Sequence, residues 1–493
     1  MLRIYLDSNV YRYIKPKHPS YNKDLHSLMD ELVGELLFIY SSAHLDDLKT
    51  SADPYRTEDL KLMEKYVNTN YFARDPIKNV TDSMYSTPIE AFSQIDYHAM
   101  DQILNNFDVD TVLFKDLDDR DDSEAFKSLL KSVFDMPITA FGTQIDLTKI
   151  EGVHKEWFDK MIPNYSANLS LKDFLNSVML YGGTIINDAK EVTDLRSYVE
   201  SYYQSDTYNY QTWGMKFNEK LRDKFGKSFL ELIDGMLLGK QKSNRFLRFQ
   251  KAYGMLEVFN ITKETASGKT KKFNYWSLNN DATHCYFASL CDYLVTDDKG
   301  MQVKAQIMYN LFGVPTRILS TKDFVEMKDD LLDTEKTLEA FVKQLAYNIS
   351  NSTVFHTCSV IETREKVTFY QLTKLHFGIF DVMECIEYTS GSIRCVLNLI
   401  RDAPEITLMR RELQLVSRKI LRALGQDQED KGEFGISETP TIGRLRVWVA
   451  PRMVFQLALE QEEGAFFIKL YVDIHPEQVI SDSDSKTLMK AGK

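Results

Sequence analysis

Four short apolar runs, two near the start of the chain and two beyond residue 290, constrain the fold more than any other feature. They are Leu2-Arg3-Ile4-Tyr5-Leu6, Leu36-Leu37-Phe38-Ile39-Tyr40, Tyr293-Leu294-Val295-Thr296 and Thr316-Arg317-Ile318-Leu319. Each is short and rich in aliphatic, β-branched and aromatic residues, which reads as strands of a buried parallel sheet. Between the last two, Met301 to Phe312 has helical spacing and Gly313-Val314-Pro315 ends it, giving a β-α-β unit. Acids follow three of the runs: Asp7, then Asp46-Asp47 in SSAHLDDL, then Asp297-Asp298. Asp281 precedes the third run in NNDATHCYFASLC, where Asp281, His284, Cys285 and Ala288 share one face of a helix expected to start near Asn280. The positive field of that helix N-terminus would help to hold phosphate.

A parallel sheet gathers its strand C-termini along one edge, and ligands bind in the crevice outside them. Carboxylates delivered there form an oxygen-rich pocket suited to Mg²⁺ or Mn²⁺, ions that activate water against phosphate esters. Taken singly, Asp7, Asp281 and Asp298 each also fit an Asx turn or a helix N-cap, and Asp47 a solvated helix residue. Their order and strand context together point to a shared metal site.

The strings YLDSNV at 5–10, AHLDDL at 43–48, and ND-x-x-H with DYLVTDD at 280–298 resemble the PIN-like nuclease family. The resemblance implies Asp7, Asp47, Asp281 and Asp298 as catalytic metal ligands, with Asn9, His44, His284, Thr296 and Asp297 around them. It also implies hydrolysis that leaves a 5′ phosphate and a 3′ hydroxyl. The expected fold is α/β: a PIN-like α/β/α sandwich with a parallel sheet, its halves at 1–84 and 273–334. A mainly helical insertion over 85–272 interrupts it, and a C-terminal α+β domain over 335–478 and a disordered tail over 479–493 follow. Helical spacing within the insertion marks 99–107, 126–134, 171–181, 189–203 and 229–238. The acidic stretch FDVDTVLFKDLDDRDDSEAF lacks the Gly and terminal Glu of a calcium loop and reads as solvated.

The net charge of −12 hides a basic stretch, since residues 216–272 hold 14 Lys+Arg against 6 Asp+Glu. Lys240, Lys242, Arg245, Arg248, Lys269, Lys271 and Lys272 are the candidate nucleic-acid contacts, with Phe246, Phe249, Tyr253, Phe273, Tyr275 and Trp276 interleaved. Cations that hold phosphates and rings that stack bases are the two parts of single-strand binding, so RNA or single-stranded DNA is the expected partner. An amphipathic helix with a solvated basic face produces the same pattern.

No apolar run approaches the ~20 residues needed to cross a bilayer, and charges at Arg3 and Asp7 argue against a signal peptide. The odd number of cysteines, five, without paired zinc spacing, suggests free thiols and a cytoplasmic protein. In the C-terminal part a hairpin is expected with strands Leu375–Tyr388 and Ser392–Ile400, then a helix from Pro404 to about Leu424. A meander over 444–449, 453–459 and 465–474 completes it. That domain has no catalytic cluster, so its expected roles are homo-oligomerisation or binding of a regulatory protein. Two other functions stay open: an inactive PIN-like scaffold that binds RNA or protein, and a haloacid-dehalogenase-type phosphatase. The latter wants a second Asp where Asn9 stands.

Overall fold

In a computed structural model of the chain, the four apolar runs become four adjacent strands of one sheet. The structure describes residues 3–49, 51–75, 80–95, 226–237, 242–258, 275–332, 335–360, 365–401, 406–435, 437–463 and 465–475, with short pieces between 136 and 222. The expected helices at 99–107, 126–134 and 189–203, the acidic stretch, Lys240, Lys269, Lys271, Lys272 and the tail at 479–493 lie outside the described residues.

The first part runs β1 (Arg3–Leu6), α1 (Ser8–Tyr13), α2 (Lys23–Leu32), β2 (Leu37–Ser41), α3 (Ser42–Leu48), α4 (Tyr55–Val67), β3 (Asn70–Asp75), β4 (Val80–Tyr85) and α5 (Pro88–Gln94). Next come α6 (Val153–Met161), α7 (Phe229–Met236), α8 (Arg245–Val258), α9 (Tyr275–Ala288), β5 (Tyr293–Val295), α10 (Lys299–Phe312), β6 (Arg317–Leu319), α11 (Thr321–Glu326) and α12 (Lys328–Leu331). The chain then continues as α13 (Leu338–Asn351), β7 (Thr353–Val360), β8 (Glu365–His376), β9 (Phe380–Glu387), β10 (Ile393–Arg401), α14 (Ile406–Leu424), β11 (Gly443–Ala450), β12 (Met453–Glu462) and β13 (Ala465–Ile474).

The first sheet has the order β4-β3-β2-β1-β5-β6. All its pairings are parallel except β3 with β4. Every residue of β1, β2 and β5 is buried, as in strands covered on both faces, which is why they read as unbroken apolar runs. The chain moves outward from β1 to β2 and β3, then returns to the other side of β1 with β5 and β6. This reversal makes the C-terminal ends of β1, β2 and β5 a topological switch point.

The second sheet is antiparallel, with the order β11-β12-β13-β10-β9-β8-β7, so the meander and the hairpin form one surface through the β10–β13 pair. Leu375–Tyr388 is not one strand. The chain turns between His376 and Phe380, with Phe377 at φ 55° and Gly378 at φ 66°. α13 packs on this sheet through Phe341, stacked on Phe377 with ring centroids 5.5 Å apart.

Both sheets belong to one compact unit made of Met1–Ala91, Gly239–Leu247 and Thr283–Lys493. Two arginines and two acids bury a shared network between them. Arg3 clasps Glu412 of α14 at 2.9 Å through both Nε and Nη2, while Arg401 reaches Glu412 at 2.7 Å and Asp292 at 3.0 and 3.1 Å. Arg3 opens β1 and Asp292 precedes β5, so this clamp grips the N-terminal edge of the parallel sheet and leaves the opposite edge to the switch point.

The second compact unit comprises Phe92–Leu238 and Arg248–Ala282. Its described core includes Phe229, Ile233, Phe249, Tyr253 and Leu256, all buried. Burial of Phe249 and Tyr253, and of Phe246 in the first unit, corrects the expectation that these rings stack bases: they are core residues at helical spacing.

Candidate functional site: acids at the switch point

Asp7 is the first residue after β1, in the N-cap position of α1, yet its side chain makes no capping hydrogen bond. Its Oδ2 instead accepts from the Thr296 hydroxyl at 3.0 Å and from Asn9 Nδ2 at 3.2 Å. Asp7 is 3% exposed, and among the described residues it forms no ion pair with a lysine or arginine. Burial raises its pKa, against the pull of His284, Thr296 and Asn9 and with the push of Asp47. A buried carboxylate that meets mainly neutral donors is costly unless a cation comes to it.

Thr296 explains the T-x-D spacing. Its hydroxyl donates to Asp7 and accepts from the Asp298 N–H at 3.1 Å, coupling the ends of β1 and β5. Asp298 caps α10, with Oδ1 accepting from Met301 N at 2.9 Å, so the capping role and a place at the sheet edge coexist there. Asp297 turns elsewhere: both its oxygens accept from Thr321, from the N–H at 2.9 Å and from the hydroxyl at 2.6 Å. Its expected place beside the metal is therefore taken by a bond to the start of α11.

On α3, Asp46 is exposed and Asp47 half-buried. Asp47 Oδ2 accepts from His284 Nε2 at 3.0 Å. Burial opposes ionisation of Asp47, but the hydrogen bond and charge of His284, with help from Ser8, bring its pKa down to about 2. A folded value below the unfolded one gives stability that is present above about pH 4 and lost as pH falls through about 2. Carboxyl NMR should show Asp47 still ionised at pH 3; a midpoint near 4 would show that the His284 contact does not form.

His44 is fully buried and structural. Its Nδ1 accepts from Ser41 N at 3.1 Å and its Nε2 donates to the Leu6 carbonyl at 2.7 Å, tying the end of β1 to the start of α3. Burial and the neighbouring His284 lower its pKa to about 3, so it stays neutral. A small cleft opens beside Asp47 and is lined by Ser8, Arg12, Lys15, Asp47 and Asp59.

Asp281 lies mid-way along α9, which begins at Tyr275 rather than near Asn280, so neither a cap nor a helix N-terminal field applies to it. It falls in the second unit and His284, three residues on, in the first. Among the described residues, no group of three or more His, Cys, Asp or Glu side chains is placed to hold a metal ion. Asp7 follows β1, Asp47 lies on α3 after β2 and Asp298 follows β5; Asp7 is held by Thr296 and Asn9, Asp47 by His284 and Ser8, and Asp298 by Met301 N. Two polar residues beside them, Tyr5 and Ser41, are given no role by the sequence resemblance. The available signal was a tyrosine inside an aliphatic strand, since a buried phenol needs a partner for its hydroxyl.

Of the expected nucleic-acid contacts that are described, Lys242 and Arg245 are exposed at the start of α8. Arg248 is half-buried and pairs with Asp234 at 2.7 and 2.9 Å. The five cysteines are free, four of them buried. No helix among the described residues is long and apolar enough to cross a membrane. No family model, no curated protein and no solved structure matches the chain.

Proposed function

We propose that the chain is a metal-dependent endonuclease of the PIN-like type, acting on single-stranded RNA. One observation carries the reading: the Asp7 carboxylate is buried at a topological switch point without a basic partner among the described residues. It is held by Thr296 and Asn9, with Asp47 and Asp298 following the neighbouring strands. The donor chemistry suits Mg²⁺ or Mn²⁺, which prefer carboxylate oxygens. Asp7, Asp47 and Asp298 would hold the ion. Such an ion supplies the Lewis acidity that lets water attack phosphorus near neutral pH. Thr296 and Asn9 orient Asp7, and His284 orients Asp47.

Incubation of labelled single-stranded RNA with Mn²⁺ tests the proposal. Wild-type protein is expected to cut and to leave 5′ phosphates, and chelator should stop it. Cleavage that persists in chelator would exclude the proposed chemistry. The non-catalytic scaffold reading has one observation in its favour, the lack of a closed metal-ligand group among the described residues. RNA binding without cleavage in the same assay would select it. The phosphatase reading gains nothing, because Asn9, bonded to Asp7 and Arg12, cannot protonate a leaving group.

The basic stretch gives a separate prediction. With Phe246, Phe249 and Tyr253 buried, its cations are left to hold RNA without those rings. Neutralising Lys240, Lys242, Arg245 and Arg248 together should flatten the salt dependence of RNA binding, by up to ~0.7 in the log–log slope for each phosphate no longer neutralised. An unchanged slope would assign these residues to a solvated face.

A further inference from the structure

We propose that Tyr5 is a positioning residue for Asp47, acting through His284 by fixing which of its ring nitrogens carries the proton. This rests on the reading of Asp47 as part of the active site and extends it to Tyr5, to which the resemblance gives no role.

The Tyr5 hydroxyl lies 2.6 Å from Ser41 Oγ and 2.8 Å from His284 Nδ1, and His284 Nε2 lies 3.0 Å from Asp47 Oδ2. Tyr5 and Ser41 are fully buried and His284 is 1% exposed, so water does not compete for these bonds. The directions follow from chemistry. Ionised Asp47 only accepts, so His284 Nε2 must donate. In the neutral imidazole, Nδ1 keeps a lone pair and accepts from the Tyr5 hydroxyl. Tyr5 in turn accepts from the Ser41 hydroxyl, whose oxygen accepts from Ala43 N at 3.3 Å. One line of donors thus runs from the start of α3, through β1, to α9 and back to Asp47 on α3. Burial keeps the phenol protonated, since ionisation of Tyr5 is pushed far above its usual range. The neighbouring His44 cannot replace Tyr5, because its Nδ1 already accepts from Ser41 N and lies 3.4 Å from the phenol.

Without the phenol, His284 is free to carry its proton on Nδ1. That form turns a lone pair toward Asp47 and releases the carboxylate from its fixed orientation. Groups that orient a metal-binding side chain typically change affinity or activity ~10–100-fold when removed. Tyr5→Phe keeps the ring and the packing and removes only the donor.

The experiment combines three readouts on wild-type and Tyr5→Phe protein. Selective ¹⁵N-histidine labelling reports tautomers, with the His284 signal among the nine histidines assigned by its loss in His284→Gln. Wild type is expected to show the Nε2–H form and Tyr5→Phe a mixture. Mn²⁺ affinity and kcat on single-stranded RNA should each fall ~10–100-fold in Tyr5→Phe, with KM within about twofold. His284→Gln, which keeps a donor toward Asp47, should retain more kcat than His284→Leu. An Nδ1–H tautomer or a doubly protonated His284 in wild type at pH 7 overturns the relay, as does a Tyr5→Phe protein with unchanged Mn²⁺ affinity and kcat. The expected tautomer in a wild-type protein that neither cuts RNA nor binds Mn²⁺ instead overturns the nuclease reading, and the positioning role with it.

Discussion

Asp7→Asn is expected to abolish RNA cleavage, by ~10³-fold or more, while making the protein more stable. The two effects have one cause. Burial raises the Asp7 pKa, so its folded-state value lies above the unfolded one. The carboxylate therefore favours the folded state below about pH 4, where it is protonated, and costs stability as pH rises above that value. At neutral pH, asparagine keeps an oxygen to accept from Thr296 and removes the charge. A gain on the order of 1 kcal/mol, seen as a melting temperature raised by a few degrees, is the expected result. The gain should vanish near pH 3. Lower stability at neutral pH would mean that the carboxylate is compensated in a way the geometry does not contain.

Glu412→Ala should be the most destabilising single change at the clamp between the sheets, costing ~3–5 kcal/mol. It strands the guanidinium of Arg3 in a buried site and removes one of the two acids that face Arg401. Burial works against ionisation of Glu412 and Asp292, but the arginines beside them hold both carboxyls below the usual range. Their contribution is therefore present above about pH 4.5 and lost as pH falls through the folded values. Urea unfolding of Glu412→Ala at pH 7 and pH 3 measures both claims. The difference from wild type should be large at pH 7 and smaller at pH 3. A cost under ~0.5 kcal/mol at pH 7 would show that the clamp does not hold the two sheets together.

The parts of the fold that could be read from sequence were those in which local pattern and tertiary burial agree. β1, β2 and β5 are buried throughout, so they stand out as continuous apolar runs. β4 is the edge strand and β3 the next one in; their strings, VTDSMY and NYFARD, carry mixed residues and gave no such signal. β7 was missed for the same reason: it is an exposed edge strand, TVFHTCSV. The Asn279-Asn280-Asp281 string suggested a helix start, but α9 runs through it from Tyr275 because its register is set over the whole helix.

The site divides in the same way. Asp7, Asn9, Thr296 and Asp298 meet through bonds at short sequence offsets or across neighbouring parallel strands, and their motif marks them. Tyr5, Ser41 and His284 meet only because β1, β2 and α9 are brought together, a relation no local pattern encodes. The basic stretch shows the reverse error. Interleaved aromatics and cations suggested stacking, whereas Phe246, Phe249 and Tyr253 are buried at helical spacing.

As a nuclease of the proposed kind, the protein should bind a divalent cation through the acids at the C-terminal edge of the parallel sheet. Electron paramagnetic resonance of Mn²⁺ titrated into wild-type and Asp7→Asn protein tests it most directly, because it reads binding independently of any substrate. The expected result is loss of the free Mn²⁺ signal with wild type, displacement by Mg²⁺, and an affinity at least ~10-fold weaker in Asp7→Asn. Equal Mn²⁺ affinity in the two proteins, or no binding to wild type, would contradict it.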